Sequence, residues 1–163
     1  MRSEQYGDVR VEPEKLISSI RHVGIVVRNL DESIKFYCGI LGLSIYKRHI
    51  EKPGQFIDKL VGINNVELEW VKVIIPNGGL IELLQYHSHP DPDVFCNAVM
   101  SPSNRLGCSH ISLTAKNLSR LYHELIENGY KCKSEPLLSS DGKVMILYCH
   151  DPDGIILELI EDL

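Results

Sequence analysis

Residues 21–30 read Arg21-His22-Val23-Gly24-Ile25-Val26-Val27-Arg28-Asn29-Leu30, and residues 109–118 read Ser109-His110-Ile111-Ser112-Leu113-Thr114-Ala115-Lys116-Asn117-Leu118. In both stretches a histidine opens an alternating apolar run, a basic residue follows six positions later, and Asn-Leu comes next. A repeat decides architecture, because each copy is one supersecondary unit that must bury its apolar face against a neighbour.

Helical spacing follows each stretch. Leu30, Ile34, Tyr37 and Leu41 in the first copy, and Leu118, Leu121, Tyr122, Leu125 and Ile126 in the second, recur at the three- and four-residue intervals of one helix face. Asn29 or Asp31 and Asn117 or Ser119 are the available N-caps, and Gly42 and Gly129 stop the two helices. Strand-like runs then occupy 43–50, 66–75 and 79–86 in the first copy and 130–133, 143–149 and 155–161 in the second. Pro53-Gly54, Asn64-Asn65, Asn77-Gly78-Gly79, Asp141-Gly142 and Asp151-Pro152-Asp153-Gly154 supply the turns between them. Each copy is therefore expected to be β-α-β-β-β. The expected layout is an N-terminal extension 1–17, a first module 18–86, a linker 87–106 and a second module 107–163, the modules pairing as one α+β domain.

Composition narrows the class. The 163 residues carry 17 Lys+Arg against 22 Asp+Glu, a formal net charge of −5. A mildly acidic chain without basic runs argues against nucleic acid or an anionic membrane as partner. No apolar run approaches the ~20 residues of a membrane span. The charged N-terminal stretch, with Arg2, Glu4, Asp8 and Arg10, does not resemble a signal peptide, so a cytoplasmic location is expected. Five cysteines, an odd number without a C-x-x-C pair, point to reduced thiols.

Strand parity separates chemistry from packing. On the first strand His22 shares a face with Ile20, Gly24 and Val26, whereas Val23, Ile25 and Val27 form the more apolar side. On the equivalent strand His110 shares a face with Cys108, Ser112 and Thr114, opposite Ile111, Leu113 and Ala115. The apolar sets belong against the helices, which leaves the histidines on a roomy opposite wall. Each copy also closes with a carboxylate inside an apolar strand: Glu82 in Leu80-Ile81-Glu82-Leu83-Leu84, and Glu158 in Ile155-Ile156-Leu157-Glu158-Leu159-Ile160. An ionised carboxylate in such a setting must be exposed, protonated, paired or metal-bound. A histidine on the first strand and a glutamate on the last, in both copies, is a constellation that packing does not require.

With these residues assembled, the chain resembles the vicinal oxygen chelate superfamily, which includes glyoxalase I, methylmalonyl-CoA epimerase, extradiol dioxygenases, fosfomycin-resistance enzymes and bleomycin-binding proteins. The resemblance spans about residues 18–162 and rests on His22 through Tyr37 with Leu41-Gly42-Leu43, on Ile81-Glu82-Leu83, on His110 with Asn117-Leu118, and on Asp151-Pro152-Asp153-Gly154 leading to Glu158-Leu159. It implies paired β-α-β-β-β modules forming a cupped mixed sheet around one divalent metal (Zn, Ni, Co, Mn or Fe). The ligands would be His22, Glu82, His110 and Glu158, converging within one concave sheet, either in one chain or across a swapped homodimer. Two imidazoles and two carboxylates suit such ions.

Within that resemblance Glu82 discriminates. Extradiol dioxygenases and fosfomycin enzymes use two histidines and one glutamate, so a Glu82 ligand favours glyoxalase I or an epimerase. Glyoxalase I has an arginine four residues after its first histidine; here that residue is Val26, and Arg28 could serve only with a shift. The expectation is a metal-dependent lyase or isomerase that moves a proton next to a carbonyl of a small oxygen-chelating substrate, with Glu82 and Glu158 as catalytic carboxylates. The alternatives are a metal-free small-molecule (antibiotic) binder and an Fe(II) extradiol-type dioxygenase. Outside the constellation, His87 and His89 read as solvated linker imidazoles, His123 as a helix-surface residue and His150 as a candidate for the site mouth. Phe36, Tyr37 and Trp70 read as packing.

Overall fold

The computed structural model of the chain describes residues 16–76, 78–91, 102–104 and 106–163. Most of the expected N-terminal extension, and residues 92–101 of the expected linker, lie outside these residues.

The first module runs β1 (Val23–Val26), α1 (Leu30–Ile34, continuing as a π-helical stretch Lys35–Ile40), β2 (Ser44–Glu51), α2 (Gln55–Val61), β3 (Leu68–Ile74) and β4 (Leu80–Tyr86). The second runs β5 (Ile111–Thr114), α3 (Leu118–Glu127), β6 (Leu137–Leu138), β7 (Val144–His150) and β8 (Ile156–Asp162). Each module folds into its own four-stranded mixed sheet, ordered β1-β4-β3-β2 and β5-β8-β7-β6. The strand that opens each module lies parallel to the strand that closes it, Gly24 opposite Glu82 and Ser112 opposite Glu158. The architecture is thus the expected α+β pair of β-α-β-β-β modules.

Of the available N-caps, Asn29 and Asn117 are the ones used. The Asn29 side chain accepts from the Asp31 and Glu32 amides at 2.9 and 3.2 Å, and that of Asn117 accepts from Arg120 N at 3.2 Å. Gly42 and Gly129 end the helices at φ of 72° and 81°, a conformation in which a Cβ would clash. The π-helical stretch departs from the α-helical spacing. Leu41 N bonds to Phe36 O and Leu43 N to Tyr37 O, and the wider turns leave the consecutive Phe36 and Tyr37 both fully buried.

Two further differences have local causes. The sequence pattern places only the Pro53-Gly54 and Asn64-Asn65 turns before β3, yet α2 forms between them, ended by Gly62 at φ 73°. Its seven residues are too few for periodicity to stand out, and Asp58 ties it down by accepting from the Asn65 and Val66 amides. Ile57 packs with Val66 and Leu68 in a small satellite core, and Trp70, Leu84 and Tyr86 pack against it. The strand expected at 130–133 is reduced to a single bridge, Cys132 opposite Cys149, and the short β6 takes the edge of the second sheet instead.

One main core joins the modules. Ile25, Val27, Leu30, Phe36, Tyr37, Val71, Val73, Ile81 and Leu83 from the first pack in the same cluster as Leu118, Leu125, Leu147, Leu157 and Leu159 from the second. The Phe36 ring meets Tyr37 and Tyr130 edge-on, at centroid distances of 5.1 and 4.8 Å. Polar struts cross the same boundary: Tyr37 donates to Asp151 at 3.0 Å, and Arg28 pairs with Asp153 and donates to the Pro152 carbonyl. Both sheets therefore turn their helix-covered faces to one core and present their reverse faces outward. No helix among the described residues is long and apolar enough to cross a membrane.

Candidate functional site

Both opening strands alternate as expected. Ile25 and Val27 are buried while Gly24 and Val26 are exposed, and Ser112 and Thr114 are exposed while Ile111, Leu113 and Ala115 pack against the core. His22 and Glu82 thereby meet on the open face of the first sheet, Nε2 to Oε2 at 3.1 Å. His110 and Glu158 meet on the open face of the second, Nε2 to Oε2 at 3.5 Å. All four side chains are partly shielded, the glutamates 14% and 18% exposed.

The four expected ligands do not converge within one concave sheet: each module has its own sheet, and the structure holds the ligands as two separate pairs, one per sheet. Among the described residues no group of three or more His, Cys, Asp or Glu is placed to hold a metal ion. Each pair is nevertheless spaced as two donors around one ion. At about 2.1 Å from a divalent metal, donors at a right angle sit about 3.0 Å apart, and at the tetrahedral angle about 3.4 Å. The donor types and spacings of each pair fit two positions around a metal ion.

Each glutamate has one further neighbour, from the antiparallel strand beside it. Lys72, opposite Glu82 in the ladder, brings Nζ to 3.1 Å from Oε1, so the two carboxylate oxygens are engaged separately by Lys72 and His22. Tyr148, opposite Glu158, is its counterpart, with its ring 5.3 Å from that of His110. Burial, with the Glu158 carboxylate adding to it, raises the Tyr148 pKa above the ordinary phenol value, so this neighbour is neutral at physiological pH. The two pairs are thus alike in residue types and unlike in the charge beside them. Their histidines are held differently as well: His110 Nδ1 meets Ser109 Oγ at 2.7 Å, whereas His22 Nδ1 is buried with no hydrogen-bond partner among the described residues.

Other residues fall where the sequence did not place them. Trp70 packs against the satellite core of Ile57, Val66 and Leu68, as expected, yet it is only half-buried and shares its strand face with Lys72. Its indole N–H donates to Glu51 at 3.1 Å, and the His49 ring lies 5.4 Å from it. Arg28 serves as a strut between modules and takes no part in the open faces. His87 is no free linker imidazole, since its Nε2 lies 3.1 Å from Oε2 of the buried Glu69, which Arg48 also holds. These partners keep the Glu69 carboxyl below its ordinary value against the cost of burial. His150 is buried beside the Lys131 carbonyl, and His123 is exposed on α3. Phe36 and Tyr37 are core, as expected. The signal for Trp70 and Lys72 was present, since the two share strand parity, but the apolar run Val66-Leu68-Trp70 reads as an ordinary buried stripe.

Comparison with known proteins gives a consistent picture. The family model described as Glyoxalase/Bleomycin resistance protein/Dioxygenase superfamily matches residues 19–159. A probable lactoylglutathione lyase from Synechocystis is 27% identical over 140 residues, covering 86% of this chain and 92% of that one. Among solved structures, a glyoxalase family protein from Bacillus cereus superposes with a TM-score of 0.81 at 22% identity, covering 92% and 97% of the two chains. The trypanothione-dependent glyoxalase I of Leishmania major gives 0.60 at 20% identity, covering 89% and 87%. Identities this low between the structures speak to the fold.

Proposed function

The chain belongs to the Glyoxalase/Bleomycin resistance protein/Dioxygenase superfamily, and on that premise we propose that it is a divalent-metal-dependent lyase or isomerase that moves a proton on the carbon next to a carbonyl. The observation that carries this reading is the pair of His–Glu contacts, His22 with Glu82 and His110 with Glu158, at equivalent places in two modules. The likeness to a probable lactoylglutathione lyase supports the same reaction class.

The proposed metal, one ion of Zn, Ni, Co, Mn or Fe, would be held by His22, Glu82, His110 and Glu158. Each pair offers two donors on an outward face, so the complete set is proposed to form between two copies, the His22–Glu82 pair of one meeting the His110–Glu158 pair of the other. This makes the working form a homodimer.

A bound divalent ion would supply Lewis acidity toward two neighbouring oxygens of the substrate and so acidify the adjacent C–H. The chain's own groups do the rest. Glu82 or Glu158 takes the proton from that carbon and returns it to the product, which needs a carboxylate oxygen within about 2.6–3.2 Å of the reacting carbon's proton or one water away. Lys72 orients Glu82 through Oε1, leaving Oε2 toward His22. Tyr148 plays the orienting part beside Glu158 with a neutral phenol. No nucleotide or covalent intermediate is needed.

The test is exchange of substrate hydrogen with solvent deuterium, run with each metal on hemithioacetals, acyl thioesters and 2-hydroxy-ketones. Exchange that requires metal and is lost in Glu158→Gln or Glu82→Gln supports the proposal. Oxygen uptake with a catechol and Fe(II), without exchange, would replace it by the dioxygenase reading, and a folded protein that takes up no metal would replace it by the binding-protein reading.

A further inference from the structure

Lys47 and Lys72 face each other across the β2–β3 ladder, and both ammonium groups reach the same ring. Lys47 Nζ lies 5.3 Å and Lys72 Nζ 4.8 Å from the centroid of Trp70. Like charges directly opposite in a ladder are unfavourable, and the attraction of each to the indole offsets only part of that. The carboxylates nearby are already engaged. Glu82 is shared between His22 and Lys72, and Glu51 accepts the Trp70 N–H and lies 3.6 Å from His49. Among the described residues Lys47 has no carboxylate within ion-pair distance. The second module has no such cluster at its equivalent place, where the neutral Tyr148 stands in for Lys72.

From this cluster we infer that Lys47, Trp70 and Lys72 form an anion subsite that selects substrates bearing a carboxylate or phosphate beside their chelating oxygens. The inference rests on the proposed function only in placing the substrate at Glu82, and it names a class of substrate which that function leaves open. Two cations on one edge of a face whose far side would carry a divalent ion make a positively charged floor, and an anionic substituent is what neutralises it. Trp70 adds a flat apolar surface, half-buried and held in plane by its bond to Glu51, on which the carbon skeleton next to that substituent can lie. Lys72 bridges the two functions, since the ammonium that fixes Glu82 is also the one nearer the ring.

Trp70 is the only tryptophan in the chain, so its emission reports on the subsite directly. The probes are succinate and the neutral succinamide of the same length, titrated into chelator-treated full-length protein, with metal uptake measured separately on the same preparations. Succinate is expected to change Trp70 emission saturably while succinamide does not. Lys47→Met, which keeps the stem and removes the charge, should weaken succinate binding roughly 3- to 5-fold, and Lys47→Arg should retain it. Equal responses to the two probes, or a succinate affinity unchanged in Lys47→Met with its far-UV dichroism intact, would overturn the subsite. Wild-type protein that takes up no metal would remove the proposed reaction and leave the subsite standing if succinate still binds through Lys47. The two ideas can therefore fail separately.

Discussion

Tyr37 donates its phenolic hydrogen to Asp151 over 3.0 Å, joining the helix of the first module to the last turn of the second inside the shared core. Asp151 is 4% exposed, and its other carboxylate oxygen accepts the amides of Asp153 and Ile155. Burial raises its pKa from 3.8 to about 6 although these hydrogen bonds pull the other way.

A carboxyl whose folded-state pKa lies above its unfolded one favours the fold most when protonated, so its contribution is full below about pH 4 and lost as pH rises through about 6. A shift of this size corresponds to about 3 kcal/mol. Asp151→Asn should remove that part of the pH dependence of unfolding between pH 4 and 6 in denaturant titrations. An unchanged pH profile in the variant would show that Asp151 titrates normally.

A single core position shows how far the two modules depend on one another. Leu125 is fully buried in the joint cluster while its neighbour Ile126 is 46% exposed. Leu125→Ala is expected to destabilise the whole chain by about 2–5 kcal/mol in one cooperative transition, and Ile126→Ala by no more than about 1 kcal/mol. Two separate transitions for Leu125→Ala would mean that the modules fold independently.

Metal binding should stabilise the folded protein by mass action. Removing His110 deletes one of the proposed donors, so His110→Ala is expected to lower metal occupancy after chelator-free purification and abolish the metal-dependent rise in melting temperature. A wild-type melting temperature indifferent to Zn, Ni, Co and Mn would count against any bound metal.

Mixing two inactive variants tests where the ligand set is completed. His22→Ala and His110→Ala homodimers each lack one donor at every site. If the sites span two copies, unfolding and refolding an equimolar mixture creates heterodimers in which one site has all four donors, and random pairing restores roughly one quarter of the wild-type metal sites. Sites confined to one chain would restore none. Metal bound per protomer, measured after gel filtration, distinguishes the two outcomes.

The sequence by itself determined the repeat, the parity of its strands and the presence of one such histidine and one such glutamate in each copy. Those are local properties. Period-two alternation decides which side chains share a face, and Asn29, Gly42, Asn117 and Gly129 bound the helices. The parallel register that sets Glu82 beside Gly24 and Glu158 beside Ser112 joins strands far apart in the chain and belongs to the tertiary structure. The sequence did not reveal α2, whose seven residues are held by Asp58 contacts reaching beyond the helix itself, or the second role of Trp70, whose neighbours Lys47 and Lys72 come from the ladder. Tertiary structure alone decided that the helix-covered faces of both sheets meet in one core, because that contact joins Phe36 and Tyr37 to residues more than ninety positions away, such as Tyr130 and Asp151. That packing turns the two His–Glu pairs outward, because a sheet that buries one face in the shared core has only its other face left for chemistry.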